Sequence, residues 1–89
     1  MSFSIETTSQ FDKDFKKLDR HTQLLIKSWI IKHQDTLSDN PRVLGKALKG
    51  NLKDFWRYRV GNYRLLAKIQ NDELILLLIK VGHRKKIYR

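Results

Sequence analysis

Hydrophobic and polar residues alternate along residues 55–70, and this pattern predicts two β-strands joined by a tight turn. A glycine and an asparagine separate the two alternating runs, which is typical of a hairpin with a two-residue loop. In such a hairpin Arg59 lies opposite Arg64, and the two-residue period places Arg57 on the same face. The pattern therefore predicts three cationic side chains on one side of a sheet.

Before the hairpin, the pattern predicts a short strand and two helices. The strand runs from Phe3 to Thr7, and Ser9 is expected to cap a helix that buries Phe11, Phe15 and Leu18. A second helix is predicted from about Arg20 to Thr36, ended by Asp39, Asn40 and Pro41. Its buried stripe is expected to contain Leu25 or Ile26, Trp29, Ile30 and Leu37.

The region after the second helix is less regular until the last strand. Residues 42–54 are expected to cross the sheet as a loop, pinned to the core by two leucines. A tight turn at Asn71-Asp72 then leads into an apolar strand from Glu73 to Val81, typical of a strand covered on both faces. Leu74, Leu76 and Leu78 are predicted to face the helices. Ile75, Leu77, Ile79 and Val81 are predicted to form an apolar floor beside the arginines.

These elements predict an α+β fold in a single domain over residues 1–89. A short N-terminal strand and two helices precede a three-stranded C-terminal meander. Both helices are expected to pack on one face of a twisted, mostly antiparallel sheet.

Charge is concentrated in the second half of the chain. The 89 residues carry a formal net charge of +10. Residues 1–45 have seven Lys/Arg and six Asp/Glu, and residues 46–89 have twelve and three, so the halves carry +1 and +9. This segregation favours binding of a polyanion such as nucleic acid, and a merely solubilising surface is the alternative.

The composition argues against several other classes of protein. The chain has no cysteine, which removes disulfides and thiol chemistry, and His21, His33 and His83 lack the spacing of a metal site. The longest apolar run, from Leu74 to Ile79, is far below the ~20 residues that span a bilayer. We therefore expect a cytoplasmic protein with no cofactor, no metal and no membrane contact. Trp29 and Trp56 could stack on bases, but their positions favour burial in the core.

The chain resembles the RelE branch of the RelE/ParE toxin superfamily nearly from end to end. The resemblance is carried by the segments 48–50, 57–65 and 81–89 (LKG, RYRVGNYRL and VGHRKKIYR) and by the predicted first helix. It implies a toxin of a type II toxin–antitoxin system that cleaves mRNA, commonly in the ribosomal A site, and that a cognate antitoxin neutralises. The implied reaction is metal-free attack of a 2′-hydroxyl on the adjacent phosphate.

The resemblance also implies roles for individual residues. The resemblance gives Arg57, Arg59, Arg64, Arg84 and Tyr88 as candidate catalytic residues, and His83 is added on chemical grounds. Preorganised arginines can stabilise charge on the phosphoryl oxygens. Arginine is a poor base, so His83, or else Tyr88, is the candidate for proton transfer, unless the ribosome contributes that group. Tyr88 could instead pack on the apolar floor or stack on a base.

Further basic residues flank this face and are candidate RNA contacts: Lys49, Lys53, Lys68, Lys85, Lys86 and Arg89. Two other functions stay open. A poison of DNA gyrase, as in the ParE branch, needs no nuclease groups, and a non-catalytic nucleic-acid-binding module needs only the charge.

Overall fold

The computed structural model describes residues 2–48 and 55–86 as a mixed sheet with helices on one side. The elements, in chain order, are β1 (Ser4–Thr7), α1 (Ser9–Lys16), α2 (Arg20–Lys32), α3 (Gln34–Asp39), β2 (Lys46–Ala47), β3 (Phe55–Val60), β4 (Tyr63–Gln70) and β5 (Ile75–His83). The α+β class and the C-terminal meander are confirmed.

The five strands are ordered β1-β5-β4-β3-β2 across the sheet. β1 runs parallel to β5, whereas the other three pairs are antiparallel. The short strand β2 lies within the region predicted as a loop, and it extends the sheet beyond the meander.

All three helices contribute to a core on one face of the sheet. Alternate residues of β4 point into this core, and Phe11, Ile26 and Leu37 cover them from α1, α2 and α3. Of the two alternatives for the buried stripe of α2, Ile26 is fully buried and Leu25 is 43% exposed. Trp29 and Trp56 both pack against the core, as expected.

The first helix begins one residue earlier than predicted. Thr8, rather than Ser9, is the N-cap, because its side-chain oxygen accepts a hydrogen bond from the backbone N–H of Phe11 at 3.1 Å. The hydroxyl of Thr8 also donates to the carbonyl of Ile79 at 2.8 Å. One threonine thus starts the helix and ties it to β5.

The prediction of one long second helix is wrong. α2 ends at Lys32, and after His33 a separate helix, α3, runs to Asp39. Within α3, Leu37 reaches the core at 1% exposure and Ser38 exchanges hydrogen bonds with Phe3. Tertiary packing therefore overrides the local helical pattern at His33.

Hydrogen bonds fix the two ends of this helical region. At the start of α2, Asp19 accepts a hydrogen bond from the backbone N–H of Thr22. Hydrogen bonding by the Thr22 side chain, and secondarily by its backbone, lowers the pKa of the Asp19 carboxyl. After α3 the chain stops at Pro41, as predicted, and the Pro41 carbonyl accepts a hydrogen bond from the Tyr58 hydroxyl at 2.5 Å. Burial raises the pKa of Tyr58, so its hydroxyl stays protonated and donates.

The turn before β5 is longer than predicted. Gln70 pairs with Ile75, so the connection contains residues 71–74 instead of two residues. Leu74 lies in this turn with φ +53° and not in the strand. Leu76 and Leu78 nevertheless face the core, at 0% and 2% exposure, because lengthening a loop by an even number of residues preserves the faces.

The second half of β5 differs from the prediction because the strand contains a bulge. Ala67 pairs with Leu78 but Leu66 pairs with Lys80, so Ile79 is the extra residue. Val81 consequently lies opposite Leu65 on the core side, at 4% exposure. The prediction that Val81 belongs to the floor beside the arginines is wrong, since the bulge reverses the faces of the later residues.

Candidate functional site

The hairpin of β3 and β4 places cations on the sheet face opposite the helices. Arg59 pairs directly with Arg64, as predicted, and the turn between the strands depends on Gly61, whose φ is +58°. Arg57 lies two residues from Arg59 and on the same side. The three arginines therefore share one face.

Neighbouring strands add lysines to this face. Lys46 of β2 pairs with Arg57, and Lys80 of β5 pairs with Leu66, which itself pairs with Arg57. One row across the sheet thus contains two lysines and an arginine around a leucine. We call the following set the cationic face: Lys46, Arg57, Arg59, Arg64, Lys68 and Lys80.

The side chain of Arg64 is held close to the hairpin turn. Its Nη1 donates to the carbonyls of Tyr63, at 3.1 Å, and Gly61, at 3.5 Å. Arg64 is 9% exposed, whereas Arg59 opposite it is exposed. These hydrogen bonds hold the guanidinium at the hairpin turn, and a phosphate site requires this kind of preorganisation.

Partly buried apolar side chains separate the cations of this face. Leu66 lies between Arg57 and Lys80 in one row. In another row Lys68 lies between Phe55 and Leu77, with its ammonium 5.9 Å from the centroid of the Phe55 ring. An apolar floor is therefore present, as predicted, but Leu66 and Phe55 form part of it and Val81 does not.

A glycine allows β2 to approach the hairpin closely. A Cβ atom at Gly45 would clash with the carbonyl oxygen of Arg57 and would lie 2.6 Å from Cδ1 of Trp56. Without that side chain, the next residue, Lys46, can pair with Arg57. Gly45 is thus required for the close approach of β2 to β3.

The bulge in β5 separates His83 from the arginines. His83 pairs with Tyr63, which lies on the core face of β4 together with Leu65. The rings of His83 and Tyr63 meet edge to face, with their centroids 5.6 Å apart. His83 also lines a cleft beside α1. The histidine chosen from the sequence for proton transfer therefore lies on the other side of the sheet from Arg57, Arg59 and Arg64.

The tail after β5 returns to the hairpin turn. The backbone N–H of Arg84 donates to the carbonyl of Asn62 at 2.9 Å, so Arg84 begins beside the turn that carries Arg64. Lys85 and Lys86 are exposed in the turn that follows. Lys49, Lys53, Tyr88 and Arg89 lie outside the described residues, and their roles stay predictions.

Two lysines of the cationic face were missed by sequence reasoning. Lys80 was missed because the bulge moves it by one position, and a bulge leaves no clear mark in an apolar run. Lys46 was missed because its strand has only two residues. The only available signal for Lys46 was the glycine before it, which is typical of a close backbone approach.

The described residues offer no alternative site of two common kinds. In residues 2–48 and 55–86, no group of three or more His, Asp or Glu side chains is arranged to hold a metal ion. Within the same ranges, no helix is long and apolar enough to cross a membrane.

Comparisons with known proteins match almost the whole chain. The family model of the ParE toxin of the type II toxin–antitoxin system parDE matches residues 5–88. The toxin RelE3 of Methanocaldococcus jannaschii is 38% identical over 79 residues, covering 88% of this chain and 86% of the relative. The toxin RelG of Mycobacterium tuberculosis is 28% identical over 89 residues, covering 100% of this chain and 99% of the relative.

A solved structure has the same fold. The toxin–antitoxin complex RelBE2 from Mycobacterium tuberculosis contains a chain that aligns with a TM-score of 0.74 at 26% identity. The alignment covers 94% of this chain and 100% of the matched one.

Proposed function

Because this chain belongs to the RelE/ParE superfamily of type II toxins, we propose that it is a metal-independent endoribonuclease that cleaves mRNA in the ribosomal A site. The observation that carries the proposal is the cationic face. Arg59 and Arg64 are directly opposed, so two guanidinium charges lie on adjacent strands of one face and together attract an anion. A phosphodiester is the anion that RNA presents.

The reaction would begin with attack of the 2′-hydroxyl oxygen on the adjacent phosphorus. The new bond from O2′ to phosphorus forms as the 2′-hydroxyl gives its proton to water or to a group of the ribosome. The bond from phosphorus to O5′ breaks as O5′ takes a proton, which leaves a cyclic phosphate and a free 5′-hydroxyl. Negative charge grows on the phosphoryl oxygens in the transition state. Arg57, Arg59, Arg64 and Arg84 would stabilise this charge, and arginine can do so with two parallel hydrogen bonds.

Proton transfer needs a group on the same face as the phosphate. Lys80 lies there, and its ammonium group could donate a proton to the leaving O5′. We assign this role to Lys80 in preference to His83, whose ring contacts Tyr63 instead. Tyr88 stays a second candidate for proton transfer.

The proposal includes a protein partner. The matched chain of Mycobacterium tuberculosis was solved in a toxin–antitoxin complex. We therefore propose that a cognate antitoxin binds this chain and blocks its activity. The charge of +10 favours an antitoxin with an acidic binding segment.

The proposal can be tested by mapping cleavage in a reconstituted translation system. The parent should produce fragments with cyclic phosphate and 5′-hydroxyl ends at codons in the ribosomal A site. Arg59→Ala and Arg84→Ala should each lower the cleavage rate about 10²–10³-fold, as loss of one charge-stabilising group does in other enzymes. Both side chains are exposed, so circular dichroism and thermal melting should show intact folding. Lys27→Ala, on the exposed side of α2, is the matched control and should cleave at the parental rate.

One observation favours a second function, because the matching family model is that of ParE. A gyrase poison would leave transcripts intact on induction and would trigger a DNA damage response. Intact transcripts together with that response would replace the endonuclease proposal. Intact transcripts with salt-sensitive RNA binding and no damage response would indicate a non-catalytic module.

A further inference from the structure

A cleft lies beside the part of β5 that is not paired with β1. The pairing of β1 with β5 ends at Thr7 and Leu78, so among the described residues no strand covers this edge beyond the bulge. α1 lies beside it instead, and the cleft between them has a volume of about 330 Å³. We call it the α1–β5 cleft, and it is lined by Gln10, Asp14, Lys17, Lys80, Val81, Gly82, His83 and Lys86.

Side chains of α1 already bind the polar backbone groups of this edge. The Thr8 hydroxyl donates to the carbonyl of Ile79, and the N–H of Val81 donates to Oδ2 of Asp14 at 3.3 Å. An added β-strand would find these two groups occupied, which argues against a peptide pairing with the edge. The other oxygen of Asp14 accepts from Gln10 at 2.8 Å, so both carboxylate oxygens have partners inside the protein.

The remaining polar groups of the cleft are mostly hydrogen-bond donors. Three lysines, Lys17, Lys80 and Lys86, line the cleft against a single acidic residue, Asp14. Nδ1 of His83 accepts a hydrogen bond from the N–H of Lys85 at 3.3 Å, which places the proton of a neutral imidazole on Nε2. His83 can thus donate from Nε2. A cleft with this inventory fits an anion.

The cleft is continuous with the cationic face. Lys80 belongs to both, and Gly82 both pairs with Arg64 and lines the cleft. Gly82 has no side chain to stand between the two surfaces. We infer that the α1–β5 cleft is a second phosphate-binding site, which holds a phosphodiester of an RNA strand after it leaves the cationic face around the edge of β5. This inference rests on the proposed function, because it extends the same RNA beyond the bond that is cut.

The test compares short and long RNA probes that cannot be cleaved. Fully 2′-O-methylated oligonucleotides of about three and about nine nucleotides lie below and within the range of site sizes typical of single-strand binding, roughly 4–16 nucleotides. Lys17→Ala should weaken binding of the long probe several-fold and leave that of the short probe unchanged. In fluorescence anisotropy titrations between about 50 and 200 mM salt, the slope of log K against log[salt] should fall in magnitude by about 0.7 for the long probe.

Lys27→Ala is the matched control, because it removes one exposed lysine outside both surfaces. If Lys17→Ala and Lys27→Ala give the same salt slope for the long probe, the second site is refuted. An acidic peptide whose binding is weakened by Lys17→Ala, while binding of the long probe is not, would also overturn it, in favour of a protein partner.

Failure of the proposed function would look different. Suppose that the salt slope of the parent depends on Lys17 but the parent never cleaves unmodified mRNA on ribosomes. The cleft would then still be an RNA contact, and the nuclease proposal would be wrong. Suppose instead that cleavage depends on Arg84 but Lys17→Ala leaves the salt slope unchanged. The nuclease proposal would then stand, and the proposal of a second phosphate site in the cleft would be wrong.

Discussion

The strand β4 is paired on both sides, and the two pairings follow different rules. Toward β3 it forms a hairpin with a two-residue turn and a constant register over six residue pairs. Toward β5 it is joined by a turn at residues 71–74, and the register shifts between Leu66 and Ala67. One side of the strand is regular, and the other contains the irregularities of the sheet.

The comparison shows that the parity of an irregularity matters more than its size. The turn before β5 is two residues longer than predicted, yet Leu76 and Leu78 remain on the core face. The bulge adds only one residue, Ile79, and it moves Val81 into the core and Lys80 onto the cationic face. Since side chains alternate with a period of two, only an odd insertion changes the face.

The largest expected effect tests the alternation of the shared strand itself. Leu65→Ala should lower the free energy of unfolding by about 2–5 kcal/mol, because Leu65 is fully buried and its loss leaves a cavity. Leu66→Ala, one residue later on the cationic face, should cost less than about 1 kcal/mol. Urea denaturation measures both values. Equal costs would mean that β4 does not separate core from surface.

A smaller effect tests the bulge. Val81→Ala should destabilise the protein by roughly 2 kcal/mol, since two buried methyl groups are lost opposite Leu65. Lys80→Ala should change stability by no more than about 0.5 kcal/mol. A strand without the bulge would place Val81 on the open face and Lys80 on the core side, so the two costs would be reversed.

The smallest expected effect compares the two turns. Gly61→Ala should cost about 1–2 kcal/mol, because φ at this position is +58° and alanine rarely adopts that conformation. The added Cβ would only touch Leu25 at 3.4 Å, so the cost comes from the backbone. Leu74→Gly should stay within about 1 kcal/mol of the parent, since relief of its positive φ opposes the extra freedom of glycine in the unfolded chain. Thermal melting of both variants checks the difference, and a neutral Gly61→Ala would contradict the turn geometry.

Local patterns explain why the fold class and the hairpin could be predicted. The alternation of residues 55–70 and the Gly-Asn turn specify both the partners and the faces of β3 and β4. The break at His33 could not be predicted in the same way. The break depends on the packing of Leu37 against the core and on the hydrogen bonds between Ser38 and Phe3. In both cases the partners are distant from α3 in sequence.

The positions of the candidate site residues could be predicted only where the pairing of their strands could be predicted. Arg57, Arg59 and Arg64 follow from the hairpin, and their shared face is confirmed. The positions of His83 and Lys80 follow from a bulge whose polar groups bind Thr8 and Asp14 on the first helix. No window of sequence around β5 contains those partners.

The parallel pairing of β1 with β5 has a consequence for synthesis of the protein. Thr8 and Ile79, which hydrogen bond across this junction, are 71 residues apart. During translation the N-terminal strand has no sheet to join until the last strand has emerged, and contacts of such long range form slowly. The bulge acquires its Thr8 partner only then. We therefore expect β1, the bulge and the α1–β5 cleft to reach their final arrangement last, once β5 is available for pairing.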